Sequence, residues 1–336
     1  MAVRSPAMTD VARLAGVSHQ TVSRVLNGHP NVREQTRLRV QAAIAELGYR
    51  PNRAARALVT GRSQVIGVVT QNTTLYGPAS LLTAFEQAAA RAGFAVSVGS
   101  VRDLDHRSIS AAVEQHLAHR VAGIMVIAPV ESAGEALDRL PHGVPLVTVD
   151  GDPRRSVPQV TVDQVAGARE ATRHLLAAGH ATVWHVSGPA DWFDSAGRIE
   201  GWRQTLLEAG AEVPPVMPAD WTAAAGYRCG QTLARMPEVT AVFTANDHLA
   251  LGVLRALHEH GRRVPEDVSV VGFDDVPEAA YFIPPLTTVR PNFAAVAEAG
   301  LAMLLAQLDA DGAPGAQRRT IAPTLVPRRS VAPPPA

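Results

Sequence analysis

The chain has 336 residues, 46% of them hydrophobic, which is enough for two or three domains with buried cores. Its one cysteine, Cys229, excludes an intrachain disulfide framework and a Cys-rich zinc site, and no run of about 18 uninterrupted apolar residues is present to cross a membrane. The formal net charge of zero hides a division: ten arginines against three acids give residues 1–62 a charge of +7, whereas the other 274 residues carry 21 arginines against 28 acids, or −7.

A basic head suits a polyanion, because arginine forks match phosphates and guanine edges. The acidic body is repelled by that polyanion, so it must serve another ligand. Residues Met1 to Met8 hold no apolar run of the signal type, and the chain is expected to be cytoplasmic.

The first elements are short helices. Thr9 is placed to N-cap a helix through Asp10–Ala15, and Gly16 supplies a tight turn. Ser18 caps a second helix over His19–Asn27, with Gly28 as its stop. Val11, Ala15, Val22, Val25 and Leu26 fall on faces that meet across the turn, which describes a helix-turn-helix. A third helix over Glu34–Leu47 offers Val40, Ile44 and Leu47 at i, i+4 and i+7. In this motif the start of the second helix faces base edges. Gln20 can then bond adenine bidentately and Arg24 can bond guanine, with His19 beside them. Thr21, Ser23, Asn31 and Thr36 have the short polar groups that hold phosphates. The bland alternative is a three-helix packing module with a solvated basic face.

Residues 51–62 follow. Asn52 is a fair N-cap, and Ala54, Ala55 and Ala57 favour helix. The helix is about two turns long, below the ~12 residues at which isolated helices become marginal in water, so it forms only when it gains contacts. Leu58 is an apolar residue on a basic helix, suited to wedge between base steps in a minor groove or, alternatively, to pack as linker.

From Val65 onward apolar strands alternate with amphipathic runs of about 10 to 16 residues. The expected strands are 65–70, 94–100, 123–128, 145–150, 181–187, 240–245 and 268–274. Near-continuous Val/Ile runs mark parallel strands covered on both faces, hence a doubly wound α/β body of two Rossmann-like subdomains. Ligands bind such sheets beyond the carboxyl ends of the strands. That rule points to 70–81, Asp150, 187–198, Asn246-Asp247 and Asp274-Asp275. Asp274, Asp150, Asn246 and Arg198 suit vicinal hydroxyls, and Trp221 and Phe293 offer flat faces to a sugar ring. Asp274-Asp275 also fits a helix cap or solvated loop, Trp221 fits plain core, and Asp247 fits a cap as well as a contact.

The run from Thr9 to Asn27, with Gly48-Tyr49-Arg50-Pro51-Asn52 and Ala55-Arg56-Ala57-Leu58, resembles the lac repressor family of bacterial transcription regulators. The similarity continues through Asn246–Gly252, Val264–Asp275 and Ile283–Arg290, covering nearly the whole chain. The resemblance implies DNA contacts at Ser18, His19, Gln20, Thr21, Ser23, Arg24, Asn27, Asn31 and Thr36. It adds Asn52, Arg53, Ala55 and the lever Leu58 in a hinge helix. It implies an effector domain of two periplasmic-binding-protein-like subdomains. There Arg198, Asn246 and Asp274 would bind hydroxyls, Asp150 would assist, and Trp221, Phe293, Leu75, Pro78 and Leu81 would line the apolar wall.

The expected organisation is a helix-turn-helix domain over 1–50, a hinge over 51–62, a sugar-binding and dimerisation domain over 63–330, and a tail over 331–336. The subdomains would comprise 63–163 with 292–322, and 164–291 with 323–330. Departures from the family's name-giving member are Arg33 for a capping serine, Ile127 for asparagine, Val162 for phenylalanine, Asp194 for serine and Pro291 for glutamine. They put the galactoside itself in doubt and leave a β-linked sugar open. The chain lacks that member's tetramerising heptad helix, so a homodimer on a pseudo-palindromic operator is expected.

The expected function is a repressor of carbohydrate-utilisation genes released by a small sugar, with no cofactor and no membrane role. A co-repressor-dependent regulator stays open. A sugar receptor without a DNA role is disfavoured by the helix-turn-helix. An enzyme using Asp274-Asp275 with His180, His185 or His248 is disfavoured because no Gly-rich phosphate loop, metal-spaced His pair or G-x-S-x-G elbow is present.

Overall fold

The computed structural model describes residues 6–26, 29–49, 63–71, 75–102, 105–127, 129–130, 144–152, 154–309 and 317–335. Asn27 and the expected hinge residues Asn52, Arg53, Ala55 and Leu58 lie outside them. The chain divides into two units, Met1–Ser63 and Gln64–Ala336.

The first unit contains α1 (Met8–Ala15), α2 (His19–Leu26) and α3 (Glu34–Leu47). Thr9 does not cap α1, as expected from sequence, but lies inside it. Ala7 is the N-cap, and its N–H donates to Asp10 Oδ2 at 2.8 Å. A carboxylate at the third helical position serves the first-turn amides from within, so the helix starts earlier. Gly16 takes φ 64°, and Val17 N–H reaches back to the Ala12 carbonyl at 3.0 Å. This left-handed closure suits glycine and aims the chain into α2. Ser18 Oγ accepts from Thr21 N–H at 3.2 Å and so caps α2. Arg33 offers α3 no side-chain cap. Val11, Val22, Val25, Val40, Ala43 and Tyr49 form a buried core among the three helices.

The second unit follows in chain order. Its elements are β1 (Val65–Gln71), α4 (Tyr76–Arg91), β2 (Ala95–Val101), α5 (His106–Ala118), β3 (Gly123–Ile127), β4 (Leu146–Val149), β5 (Gln159–Val162), α6 (Gln164–Ala177), β6 (Trp184–Ser187), α7 (Phe193–Glu208), β7 (Met217–Pro218), α8 (Ala223–Leu233), β8 (Ala241–Thr244), α9 (Asp247–Glu259), β9 (Ser269–Phe273), β10 (Thr287–Arg290), α10 (Phe293–Asp309), β11 (Arg318–Ile321) and β12 (Thr324–Val326). They build two six-stranded sheets, ordered β11-β5-β4-β3-β1-β2 and β12-β10-β9-β8-β6-β7. Every pairing is parallel except β12 against β10.

Each sheet has its own apolar cores. Ile66, Val68, Phe85, Met125, Val147 and Leu304 pack on the first; Val186, Val242, Leu249, Val253 and Val270 pack on the second. The chain crosses between the sheets three times: at Asp163, at Pro291-Asn292 and at Ala322-Pro323. Asp163 Oδ1 accepts from Ala166 N–H at 2.8 Å, capping α6, and its own N–H donates to the Ile321 carbonyl at 2.9 Å. Two of the crossings are thereby stitched side by side.

All seven expected strands are present: the first ends one residue later than expected, the second is shifted by one residue, and the others are shorter; Ala128, the expected end of the third, lies outside the described residues. β5, β7, β10, β11 and β12 were not expected. They are short and polar, as in Arg318-Arg319-Thr320-Ile321, and carry no long apolar run. The proline-rich end is docked rather than loose. Ser330 Oγ donates to the Val270 carbonyl at 2.6 Å, and Ala332 N–H donates to Ser269 Oγ at 3.0 Å.

Candidate functional site

In the first unit Ser18, His19, Gln20 and Arg24 are exposed, and Gln20 and Arg24 stand one turn apart on α2. Asn31 is exposed, and Thr21, Ser23 and Thr36 are half-buried. Val22 and Val25 turn inward from the same helix. The polar face therefore stands clear of the core and can enter a groove.

In the second unit a cavity opens at the carboxyl ends of the strands, between the sheets. Pro78, Leu81, Ile127, Asp150, Val162, Pro291 and Phe293 line it, with Gln164, Asp194, Arg198 and Asp274 opposite. An adjoining space is lined by Leu75, Tyr76, Trp192, Trp221 and Asn246, and shares Pro78, Asp194, Arg198 and Asp274. All nine residues expected at the effector site border one space or the other.

Arg198 organises both. It comes from α7, and its guanidinium lies 3.8 Å from the Phe273 ring centroid and 5.5 Å from that of Trp221. Nε donates to Gln164 Oε1 at 2.9 Å and Nη1 to the Ala245 carbonyl. Nη2 stands 3.9 Å from Asp194 and 3.7 Å from Asp274, beyond a direct hydrogen bond. One corner of the fork is thus held between two carboxylates and left available.

Asp274 has φ 103°, a strained conformation for a residue with a Cβ. Burial pushes its pKa up to about 7, against the pull of Arg198 and with a further push from Asp194. Burial also raises Asp194, again opposed by Arg198. Asp150, at φ 52°, accepts from Val162 N–H at 3.0 Å. Burial and then the Asp194 charge hold it well above the usual carboxylate range.

Neighbouring polar residues have structural tasks. Asn246 Oδ1 accepts from Leu249 N–H at 2.8 Å, capping α9, and its Nδ2 donates to the Trp221 carbonyl at 3.1 Å. Its amide is therefore largely engaged, unlike the free hydroxyl binder that the sequence suggested. Asp247 neither caps nor lines the spaces; it is buried and accepts from Thr288 Oγ1 and Val276 N–H. Asp275 pairs with Arg290 and Arg328, so Asp274-Asp275 is neither a helix cap nor a facing acid/base couple. Trp221 packs against Gly188, where a Cβ would sit 2.2 Å from the indole.

His180, His185 and His248, the three weighed as a base, border neither space. His180 bonds Thr240 and the Ala332 carbonyl. His185 is buried against Phe243 and Trp202, and burial lowers its pKa to about 4. Sequence reasoning missed Gln164, which pins Arg198. Trp192, whose ring meets Trp221 edge-on at 5.4 Å, and Asp194 fall within the expected span 187–198 but were not singled out as effector contacts, although the i, i+4 spacing of Asp194 to Arg198 was a usable signal.

A helix-turn-helix head on a two-sheet ligand-binding body defines a ligand-responsive DNA-binding regulator. Residues 7–52 match the bacterial regulatory proteins of the lacI family, and residues 172–331 match the periplasmic binding protein-like domain. The chain is 35% identical over 300 residues to the lactose operon repressor of Escherichia coli (strain K12), covering 88% of this chain and 83% of that protein. It superposes on the lac repressor dimer bound to operator and the anti-inducer ONPF with a TM-score of 0.88, at 32% identity, over 98% of this chain and 100% of that one. It superposes on the transcriptional regulator CelR in complex with cellobiose with a TM-score of 0.72, at 32% identity, over 97% and 99% of the two chains.

The chain belongs to the lacI family. Its relatives are transcription regulators, not enzymes. Among the described residues no helix is long and apolar enough to cross a membrane.

Proposed function

We propose that this regulator represses carbohydrate-utilisation genes and is released from a pseudo-palindromic operator by a small β-glycoside. The observation that carries the reading is the free Nη2 of Arg198 between Asp194 and Asp274, set among Trp221, Trp192 and Phe293. Charged groups at that spacing suit vicinal hydroxyls, and the aromatic faces suit the C–H side of a sugar ring. The similarity to the lactose operon repressor and to CelR in complex with cellobiose favours a β-linked sugar.

On the DNA side, His19, Gln20 and Arg24 read base edges, while Ser18, Thr21, Ser23, Asn27, Asn31 and Thr36 fix the backbone. Residues 51–62 form the hinge, with Asn52, Arg53 and Ala55 at the DNA and Leu58 as the minor-groove wedge. The regulator acts as a homodimer. The exposed apolar side chains Leu251, Tyr281 and Ile283 of the second subdomain are of the kind that such an assembly covers. Glycoside bound between the sheets of 63–330 shifts one subdomain on the other and unpairs the hinges, a coupling of about 1–3 kcal/mol.

The test is a mobility shift on DNA upstream of the chain's own gene, titrated with β-glycosides at fixed salt. The expected result is a retarded complex that a glycoside disperses. Tightening instead of release would make the sugar a co-repressor. Absence of any preference for inverted-repeat DNA over scrambled competitor would overturn the reading.

A further inference from the structure

Among the described residues the walls of the two spaces hold three acids, Asp150, Asp194 and Asp274, and one cation, Arg198. Arg198 spends Nε and Nη1 on neutral carbonyl oxygens of Gln164 and Ala245, leaving one corner for two acids. Asp274 is 8% exposed, and no described protein group donates a hydrogen bond to its carboxylate. Asp194 is half-buried and likewise meets only the distant Arg198 corner. These oxygens border both spaces, and among the described residues no donor serves them. A buried acceptor without a donor is costly, and a buried carboxylate more so, unless a ligand brings the donor.

Resting on the glycoside reading above, we propose that Asp194 is a specificity-determining residue that makes the pocket select glycosides without negative charge and hold amino glycosides tightest. A hydroxyl donates to one acid and leaves the other without a donor. A protonated amino substituent donates up to three hydrogen bonds and brings a positive charge to both acids. A uronide brings a further anion against Asp194 and Asp274, with only one Arg198 nitrogen to meet it.

The experiment is calorimetric titration of the full chain with matched methyl β-D-glucosides and galactosides. One set is neutral, one carries a protonated amine at C2 or C6, and one is the uronide. The amine is expected to bind at least tenfold tighter than its neutral parent, and the uronide at least a hundredfold weaker. Asp194→Asn is expected to weaken the amine about a hundredfold and the neutral sugar less than tenfold, and to leave the uronide no weaker. A uronide that binds as well as its parent overturns the proposal. So does an Asp194→Asn variant that weakens every sugar by one common factor, since Asp194 would then only position Arg198. If sugars bind in the wrong order, this inference alone falls; if none binds at millimolar concentration, the glycoside reading falls and takes it along.

Discussion

The two walls of the pocket are made differently. The described wall from the first subdomain is Pro78, Leu81, Ile127, Val162 and Phe293, with Asp150 as its ionisable member. The wall from the second is Asp194, Arg198, Asn246 and Asp274, braced by Gln164, Phe273 and the Trp221 carbonyl. Hydrogen bonds are directional and fix a ligand; apolar contact is not, and tolerates sliding. A sugar anchored to the second wall therefore lets the first shift while contact is kept. This asymmetry suits a sensor that must report a ligand as movement.

The largest effect belongs to the second wall. Arg198→Leu strands buried carboxylates and removes the anchor of the cavity. It should cost about 3–5 kcal/mol in urea denaturation and abolish sugar-dependent release of DNA. Were stability and response both retained, the anchored-wall picture would be broken outright.

Asp274→Asn should come next, with a pH signature. The folded pKa of Asp274 is raised to about 7 from 3.8, so the folded state holds a proton that the unfolded state gives up. Its contribution favours folding below pH 4, weakens as pH climbs from about 4 to 7, and is unfavourable above. The ligand-free Asn variant should thus melt higher than wild type at pH 8, with the gain shrinking towards pH 5. The same variant should bind β-glycoside roughly tenfold to a hundredfold more weakly, since an amide replaces a charged acceptor. Thermal melts at the two pH values and a calorimetric titration decide both halves.

Legibility in the sequence also divided along physical lines. Strands 65–71, 123–127 and 269–273 are Val/Ile runs buried on both faces, so composition alone marks them. Strands 159–162 and 318–321 alternate or expose polar residues at the sheet margin, where pairing rather than hydrophobicity defines them. The pocket residues at strand ends follow from the doubly wound topology together with the family pattern. Gln164 does not, because it acts through Arg198, and nothing in local spacing records which distant side chain it meets. The start of the first helix was missed for a related reason, since Asp10 serves the helix from inside it.

The first wall should give smaller effects. Phe293→Leu keeps the apolar surface but removes the ring face, worth about 0.5–1.5 kcal/mol, so glycoside affinity should fall roughly threefold to tenfold. The hydroxyl contacts of the second wall stay, and operator release should persist at higher sugar concentration. Loss of all response would place the anchor on the wrong wall.

Asp150→Asn should do least, although it is chemically the same exchange as at Asp274. Burial and then the Asp194 charge hold Asp150 well above the ordinary carboxylate range, which favours its neutral acid form. Asparagine reproduces its size and retains the oxygen that accepts from Val162 N–H. Asparagine also tolerates the left-handed backbone at φ 52°. Glycoside affinity should stay within about threefold of wild type, with no change in its pH dependence near neutrality. A tenfold loss on calorimetry would mean that Asp150 binds as an anion. The two walls would then share the polar recognition, and the first subdomain could not slide free of the sugar.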